Sequence, residues 1–209
     1  MNKTFIDVMD FRHACKLFDE DKKISDADIR EILEAGRKSP SSFGMEPWKF
    51  LVITNKELKA KIRPYCWNQP QITSCSHLIV ILSAIESLKV ESGMPEMRFK
   101  RRDMPQEKLD SYVELYANHL KNTLDSDDNI YCWSARQAYI AAANMMTCAA
   151  ALKIDSCPIE GFDREELQNV LGLDISKYQV ALVIPFGYRA NPQSSQLRLA
   201  FDEVVEFID

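Results

Sequence analysis

Glycine is scarce in this sequence: the chain has 209 residues and 6 glycines, which stand far apart at positions 36, 44, 93, 161, 172 and 187. No Gly-x-Gly-x-x-Gly turn can be built from them, so the fingerprint of a Rossmann-type dehydrogenase is absent. Histidine is scarcer still. His13, His77 and His119 are scattered, and none combines with a cysteine at zinc-ligand spacing. The six cysteines (Cys15, Cys66, Cys75, Cys132, Cys148 and Cys157) include no Cys-x-x-Cys pair, and several lie in apolar runs. They read as reduced, small core residues rather than as a disulfide framework. No apolar run approaches the length of a membrane span, and residues 1–10 lack signal-peptide character, so a cytoplasmic protein is expected. Positive charge is in deficit as well. With 26 Lys and Arg against 31 Asp and Glu, the net charge of −5 argues against nucleic acid as the main partner, because phosphate binding needs a basic face.

What is present fits one soluble globular domain over residues 1–209. A hydrophobic share of 46% is enough for a core, and no repeat, low-complexity tract or linker divides the chain. Ser25, followed three residues later by Asp28, starts a helix with Ile29, Ile32 and Leu33 on one face; Lys38-Ser39-Pro40 ends it. The run from Trp48 to Thr54 reads as a buried strand, followed by a helix capped near Asn55. His77 to Ala84 is a second strand. Residues 107–124 put Leu109, Tyr112, Val113, Tyr116 and Leu120 on one helical face. From Ser134 to Leu152 the chain is alanine-rich and apolar nearly all round, the mark of a helix buried on several sides in a core or subunit interface. Asp163 and Glu166 begin another helix that runs to Leu171. Tyr178 to Gly187 is a third strand, and Asp202 to Ile208 reads as a last one. Helices outnumber strands without strict alternation, which predicts an α+β fold.

Four segments have the polar or turn-forming character of a site. Arg12-His13-Ala14-Cys15-Lys16 brings three donors into five residues, a grouping suited to an anion. Ser39 to Trp48 (SPSSFGMEPW) offers hydroxyls and freed amides in a turn. Cys157-Pro158-Ile159-Glu160-Gly161-Phe162 has an irregular backbone, with Gly161 permitting close approach by a ligand. Arg198 is a lone cation in an apolar C-terminal stretch. Each alone is equally an ordinary loop or solvated charge.

In order and spacing, however, RHACKLF, SPSSFGMEPW, Gln137 on the core helix, PIEGF and the closing Gln196-Leu197-Arg198 together resemble the nitroreductase family. The match extends over nearly the whole chain. The resemblance implies an α+β sandwich with a central, mostly antiparallel sheet flanked by helices. It also implies an interlocked homodimer with FMN at the subunit interface, and NAD(P)H as electron donor. It places Arg12, His13 and Arg198 around the FMN phosphate, Ala14 in the same segment, and Lys16 at the flavin N1/O2 edge. Ser41, Ser42 and neighbouring Gly44 would reach the flavin of the other subunit. Asn68, Gln71 and Gln137 would meet the ring or ribityl chain, and Pro158, Ile159, Glu160 and Gly161 would line the flavin near N5. No side chain is expected to act as a nucleophile. The expected cycle is ping-pong, with nitroaromatics, quinones or similar small electrophiles as acceptors.

Against the family pattern, Gly44 stands in place of Asn, Glu46 in place of Gln, Gln71 where Lys is common, and Gln196 in place of Lys. Fewer cations predict less stabilisation of reduced flavin and a lower potential than in relatives that retain both lysines. Arg98, Lys100, Arg101 and Arg102 form a basic cluster that reads either as a solvated face or as a contact for a pyridine-nucleotide phosphate. Cys15 beside Lys16 suggests a thiol of lowered pKa. A non-catalytic flavin-binding protein of the same fold is the rival reading.

Overall fold

In the computed structural model, which describes residues 4–208, the three apolar runs form the long strands of one four-stranded sheet. Residues 1–3 and 209, the extreme ends of the expected 1–209 domain and part of the stretch read for a signal, lie outside the described residues. Helix α1 (Phe5–Phe11) and helix α2 (Asp26–Arg37) precede strand β1 (Trp48–Ile53), and helices α3 (Lys56–Ile62) and α4 (Gln71–Ser74) lead to β2 (His77–Ala84). Helices α5 (Met94–Lys100), α6 (Gln106–Thr123) and α7 (Asp127–Ala151) follow. The chain then forms the short β3 (Asp155–Ser156), α8 (Arg164–Val170), β4 (Tyr178–Gly187) and α9 (Phe201–Val204). Strand order is β1-β2-β4-β3, and each neighbouring pair is antiparallel.

The expectation that the Trp48 to Thr54 strand is buried is corrected: β1 is an edge strand, with Lys49 and Val52 exposed and only Ile53 buried. The two central strands, in contrast, are unbroken apolar runs because both of their faces are covered. Successive side chains of a strand point to opposite faces. Leu78, Val80 and Leu82 of β2 accordingly pack with Ile62, Ile72 and Leu167 from the α3, α4 and α8 side. Ile79 and Ile81 face Ile32, Ala138, Ala142 and Met145 from α2 and α7. Each such aliphatic side chain, fully buried, contributes about 1.5–3 kcal/mol. Gly36 lets α2 and α7 approach closely, since a Cβ there would come within 2.8 Å of the Met145 side chain.

Helix starts are fixed by side-chain caps, as the sequence implies. Ser25 Oγ accepts from the Asp28 amide (3.1 Å), Asn55 Oδ1 from Leu58 (2.8 Å) and Asp163 Oδ1 from Glu166 (3.1 Å). Helix α7 begins seven residues earlier than Ser134, because Ser126 caps it through the Asn129 amide and Asp127 and Asp128 form an acidic first turn. One side of α7 lies in the core. Cys132, Arg136, Tyr139, Ile140 and Ala143 face outward and are exposed.

The expected strand from Asp202 to Ile208 is corrected. Phe201–Val204 forms one helical turn in which Glu203 Oε2 accepts from the Ala200 amide (2.7 Å), and only from Val205 does the backbone turn extended. The physical reason is local: Glu203 caps the Ala200 amide and starts a helical turn, and among the described residues the segment pairs with no strand of the sheet. Among the described residues, no helix is long and apolar enough to cross a membrane.

Candidate functional site

Arg12 ends α1, and the chain then runs extended beside β3. Ala14 bridges to Ser156, and the Cys15 amide donates to the Ser156 carbonyl (3.1 Å). Extended backbone sends neighbouring side chains to opposite sides. Cys15 is therefore buried while Ala14 and Lys16 face out. This corrects the expectation of a reactive Cys15: burial pushes its thiol pKa up to about 11, and its sulfur donates to the Leu17 carbonyl (3.2 Å). Lys16 turns its ammonium instead toward Cys157, with Nζ 3.6 Å from Sγ. His13 packs with Nδ1 3.6 Å from the Asp155 carboxylate. Burial, and then Arg189, lower its pKa, so near neutral pH it supplies an N–H rather than a charge.

A second segment, residues 63–71, lies against the 157–161 turn. Trp67 covers Gly161, where a Cβ would come within 2.6 Å of the indole; this is the close approach that requires glycine. Gln69 Nε2 donates to the Gly161 carbonyl (3.1 Å), and Gln71 Nε2 donates to Gln69 Oε1 (2.8 Å) and lies 3.8 Å from Cys157 Sγ. Asn68 is exposed in the left-handed region (φ 54°), with its carbonyl held by Arg63 Nε (3.1 Å). Ile159 is tied to Val183 by backbone hydrogen bonds, while Pro158 stays exposed. The Tyr139 hydroxyl donates to Glu160 Oε1 (2.5 Å), and burial together with that carboxylate raises the tyrosine pKa. Lys16, Gln71 and the Pro158 carbonyl, from three pieces of sequence, thus meet around one buried sulfur, that of Cys157.

Ser41, Ser42 and Gly44 are organised differently. Ser41 Oγ accepts from the Glu46 amide (2.8 Å), and the Ser42 amide donates to Gln137 Oε1 (2.9 Å). Gln137 Nε2 in turn donates to the Trp133 carbonyl (3.3 Å), so both ends of this amide serve the loop and its own helix. Phe43, Gly44 and Glu46 all have positive φ. The basic segment after α5 holds this strained turn: Arg102 donates to the Phe43 carbonyl, and Arg101 reaches the Gly44 carbonyl and the Glu46 carboxylate. Lys100 pairs with Glu96, and Arg98, half-buried, is directed at the Ser87 carbonyl. All four cations thus engage the chain's own groups, Lys100 and Arg101 in solvent-exposed pairs.

Arg198 is exposed and its guanidinium donates to the neighbouring Leu197 carbonyl (2.6 Å), so one chain alone does not bring it onto Arg12. Two residues earlier, Gln196 Nε2 clips the C-terminal segment to the carbonyls of Met9 (3.0 Å), Asp10 (2.8 Å) and Arg12. Sequence reasoning missed the support beneath this segment. Buried Asp155 holds Arg189 (Nη2 to Oδ1 2.6 Å, Nε to Oδ1 2.9 Å) and also accepts from the Arg189 amide (2.9 Å). The available signal was a carboxylate lying inside an apolar stretch between Ile154 and Cys157. Trp67 was missed too, as a large exposed aromatic beside Asn68.

Neither Arg12 nor Lys16 has a carboxylate partner among the described residues, and no group of His, Cys, Asp and Glu there could hold a metal ion. Unpaired cations, amide side chains and a glycine turn under an indole suit a planar ligand bearing anionic groups, and fit a flavin nucleotide.

The model of the nitroreductase family matches residues 9–188. A Staphylococcus epidermidis protein named as a candidate NAD(P)H nitroreductase is 39% identical, the alignment covering 100% of this chain and 99% of that one. A Bacillus subtilis protein of the same description is 38% identical over 97% of this chain and 96% of its own. Among solved structures, a Staphylococcus epidermidis candidate NAD(P)H:FMN oxidoreductase superposes with a TM-score of 0.83 at 27% identity, covering 100% of this chain and 97% of that one. An Exiguobacterium sibiricum candidate nitroreductase solved in complex with FMN shares the fold, with a TM-score of 0.84 at 22% identity, covering 100% of this chain and 99% of the other. Fold, motif order and these relatives agree, and the chain belongs to the nitroreductase family.

Proposed function

We propose that the protein is an FMN-dependent oxidoreductase that takes electrons from NAD(P)H and passes them to nitroaromatics, quinones or similar small electrophiles. The observation that carries this reading is the convergence of Lys16, Gln71 and the 157–161 turn, with Arg12 and His13 on the same segment as Lys16. Arg12 and the His13 N–H would bind the FMN phosphate, joined by Arg198 once the C-terminal segment is ordered on a second subunit. Ala14 would present backbone beside it. Asn68 would meet the flavin's polar edge and ribityl chain, with Gln71 buried behind it as support, and the backbone of Pro158, Ile159, Glu160 and Gly161 would lie along the flavin's N5 side. FMN, when bound, would supply the redox chemistry, hydride acceptance from NAD(P)H and its transfer to the acceptor in two ping-pong half-reactions, while the chain's own residues bind and orient it. The chain's own work is electrostatic: the Lys16 ammonium stabilises negative charge that gathers at N1/O2 on reduction. Glu46 is paired with Arg101 and Gln196 is used as a clip, so the expectation of a lower potential now rests on Gln71 standing where the family often has Lys.

The working unit is proposed to be a homodimer. The outward face of α7 around Tyr139 and Ile140 is apolar and uncovered in one chain. The same is true of the C-terminal segment, and β1 is an edge strand. Ser41, Ser42 and Gly44 would then serve the flavin of the other subunit, with Gln137 holding their loop from beneath. Six free cysteines suit a cytoplasmic setting. The test is the purified protein itself. A flavin spectrum, with FMN released on denaturation at about one per chain, is expected. A colourless protein that takes up no added FMN would overturn the reading.

A further inference from the structure

We infer that Cys157 is a positioning residue that holds the Lys16 ammonium in place without neutralising it; this rests on the FMN reading of the site. The sulfur is fully buried, and two donors from separate parts of the chain converge on it, Lys16 Nζ at 3.6 Å and Gln71 Nε2 at 3.8 Å. Its own S–H points toward the Pro158 carbonyl (3.9 Å), which leaves the sulfur lone pairs to accept. Gln71 is itself buried and continues through Gln69 to the Gly161 carbonyl, so the thiol joins the lysine to the turn proposed to lie beside the flavin.

The chemistry of the acceptor matters. Lysine has a long, rotatable stem and needs a partner to hold one orientation. A carboxylate at this position would fix it but cancel its charge, and with it the field at N1/O2. Burial raises the Cys157 pKa, so the group facing the ammonium is a neutral thiol. The cation is held and its full charge remains for the ligand. Among the described residues the Cys157 sulfur is the acceptor that faces the ammonium, so without it Lys16 would swing toward water.

The experiment is an anaerobic potentiometric titration of the FMN-loaded protein in four forms: parent, Lys16→Met, Cys157→Ala and the double variant. Lys16→Met is expected to lower the reduced-to-oxidised equilibrium constant about tenfold, about 30 mV for a two-electron couple. Cys157→Ala is expected to lower it roughly fivefold, and the double variant no further than Lys16→Met alone, because both changes remove one interaction. Cys157→Ser, which keeps an acceptor, should stay within about twofold of the parent. Cys157→Val replaces the alanine variant if the smaller side chain fails to fold. A parent-like potential in Cys157→Ala, or additive shifts in the double variant, overturns the positioning role while leaving the FMN reading intact. A yellow protein in which Lys16→Met shifts nothing overturns both this role and the N1/O2 assignment of Lys16.

Discussion

Removal of residues 197–209 is expected to leave a monomer that no longer retains FMN on gel filtration, where the proposed working unit is a dimer. The segment carries Leu197, Leu199, Phe201, Val204, Phe207 and Ile208, all exposed, with Ile208 at 90% and Phe207 at 80% of their full accessible surface. A single chain rarely leaves so many large apolar side chains in water on one short stretch. The uncovered edge of β1, where Val52 is also exposed, and the extended backbone at Val205 give that stretch a place to dock on a second copy. Each side chain is worth about 1.5–3 kcal/mol on full burial. If only about a third of that is realised, the six together still contribute about 4 kcal/mol, roughly a thousandfold in association. Cutting after Gln196 leaves the amide clip to Met9 and Asp10 intact, so the remaining domain should fold. Arg198→Ala serves as the control: it should weaken FMN binding yet leave the dimer. A truncated protein that elutes as a dimer with its flavin would refute this docking.

The second large effect is expected at Asp155, on stability. Its carboxylate accepts from Arg189 Nε and the Arg189 amide, and Arg189 carries the contact onward through Nη1 to Gln193 Oε1 (2.9 Å) and from Gln193 Nε2 to the Asp10 carbonyl (2.9 Å). Asp155→Ala strands a largely buried guanidinium and an amide at once, and losing one partner of such a pair costs about 3–5 kcal/mol. Part of Arg189 reaches solvent (22% of its side chain exposed), which favours the lower end. With a chain of this size, about 3 kcal/mol corresponds to a Tm lower by roughly 6–12 °C. Asp155→Asn keeps one acceptor and should cost about 1–2 kcal/mol. The network also anchors the segment from Asp10 to His13, so FMN affinity should fall with stability. A Tm in Asp155→Ala equal to that of the parent would show that the pair is not needed.

Local signals in the sequence carried the elements whose determinants are local. The apolar runs of β1, β2 and β4 and the caps at Ser25, Asn55 and Asp163 needed no knowledge of distant partners. The site segments were legible as an ordered set, since each combines turn-forming and donor residues. What escaped depended on residues far apart in the chain. Asp155 makes sense only with Arg189, Glu46 only with Arg101, and Cys157 only with Lys16. The lowered pKa suggested for Cys15 fails because adjacency to Lys16 in sequence is opposition in an extended segment, while its burial agrees with the reading of it as a small core residue. The C-terminal segment has strand-like composition, but among the described residues it pairs with no strand, and the cap that Glu203 supplies at Ala200 gives it a helical turn instead.

The most direct measurement of the central claim is the visible spectrum of the FMN-loaded protein during anaerobic addition of NADPH or NADH. The oxidised-flavin absorbance is expected to bleach with at least one of the two nucleotides, and to return when a nitroaromatic or quinone is added without oxygen. A yellow protein whose spectrum neither nucleotide changes would contradict an NAD(P)H-dependent reductase and point to a flavin-binding protein of the same fold.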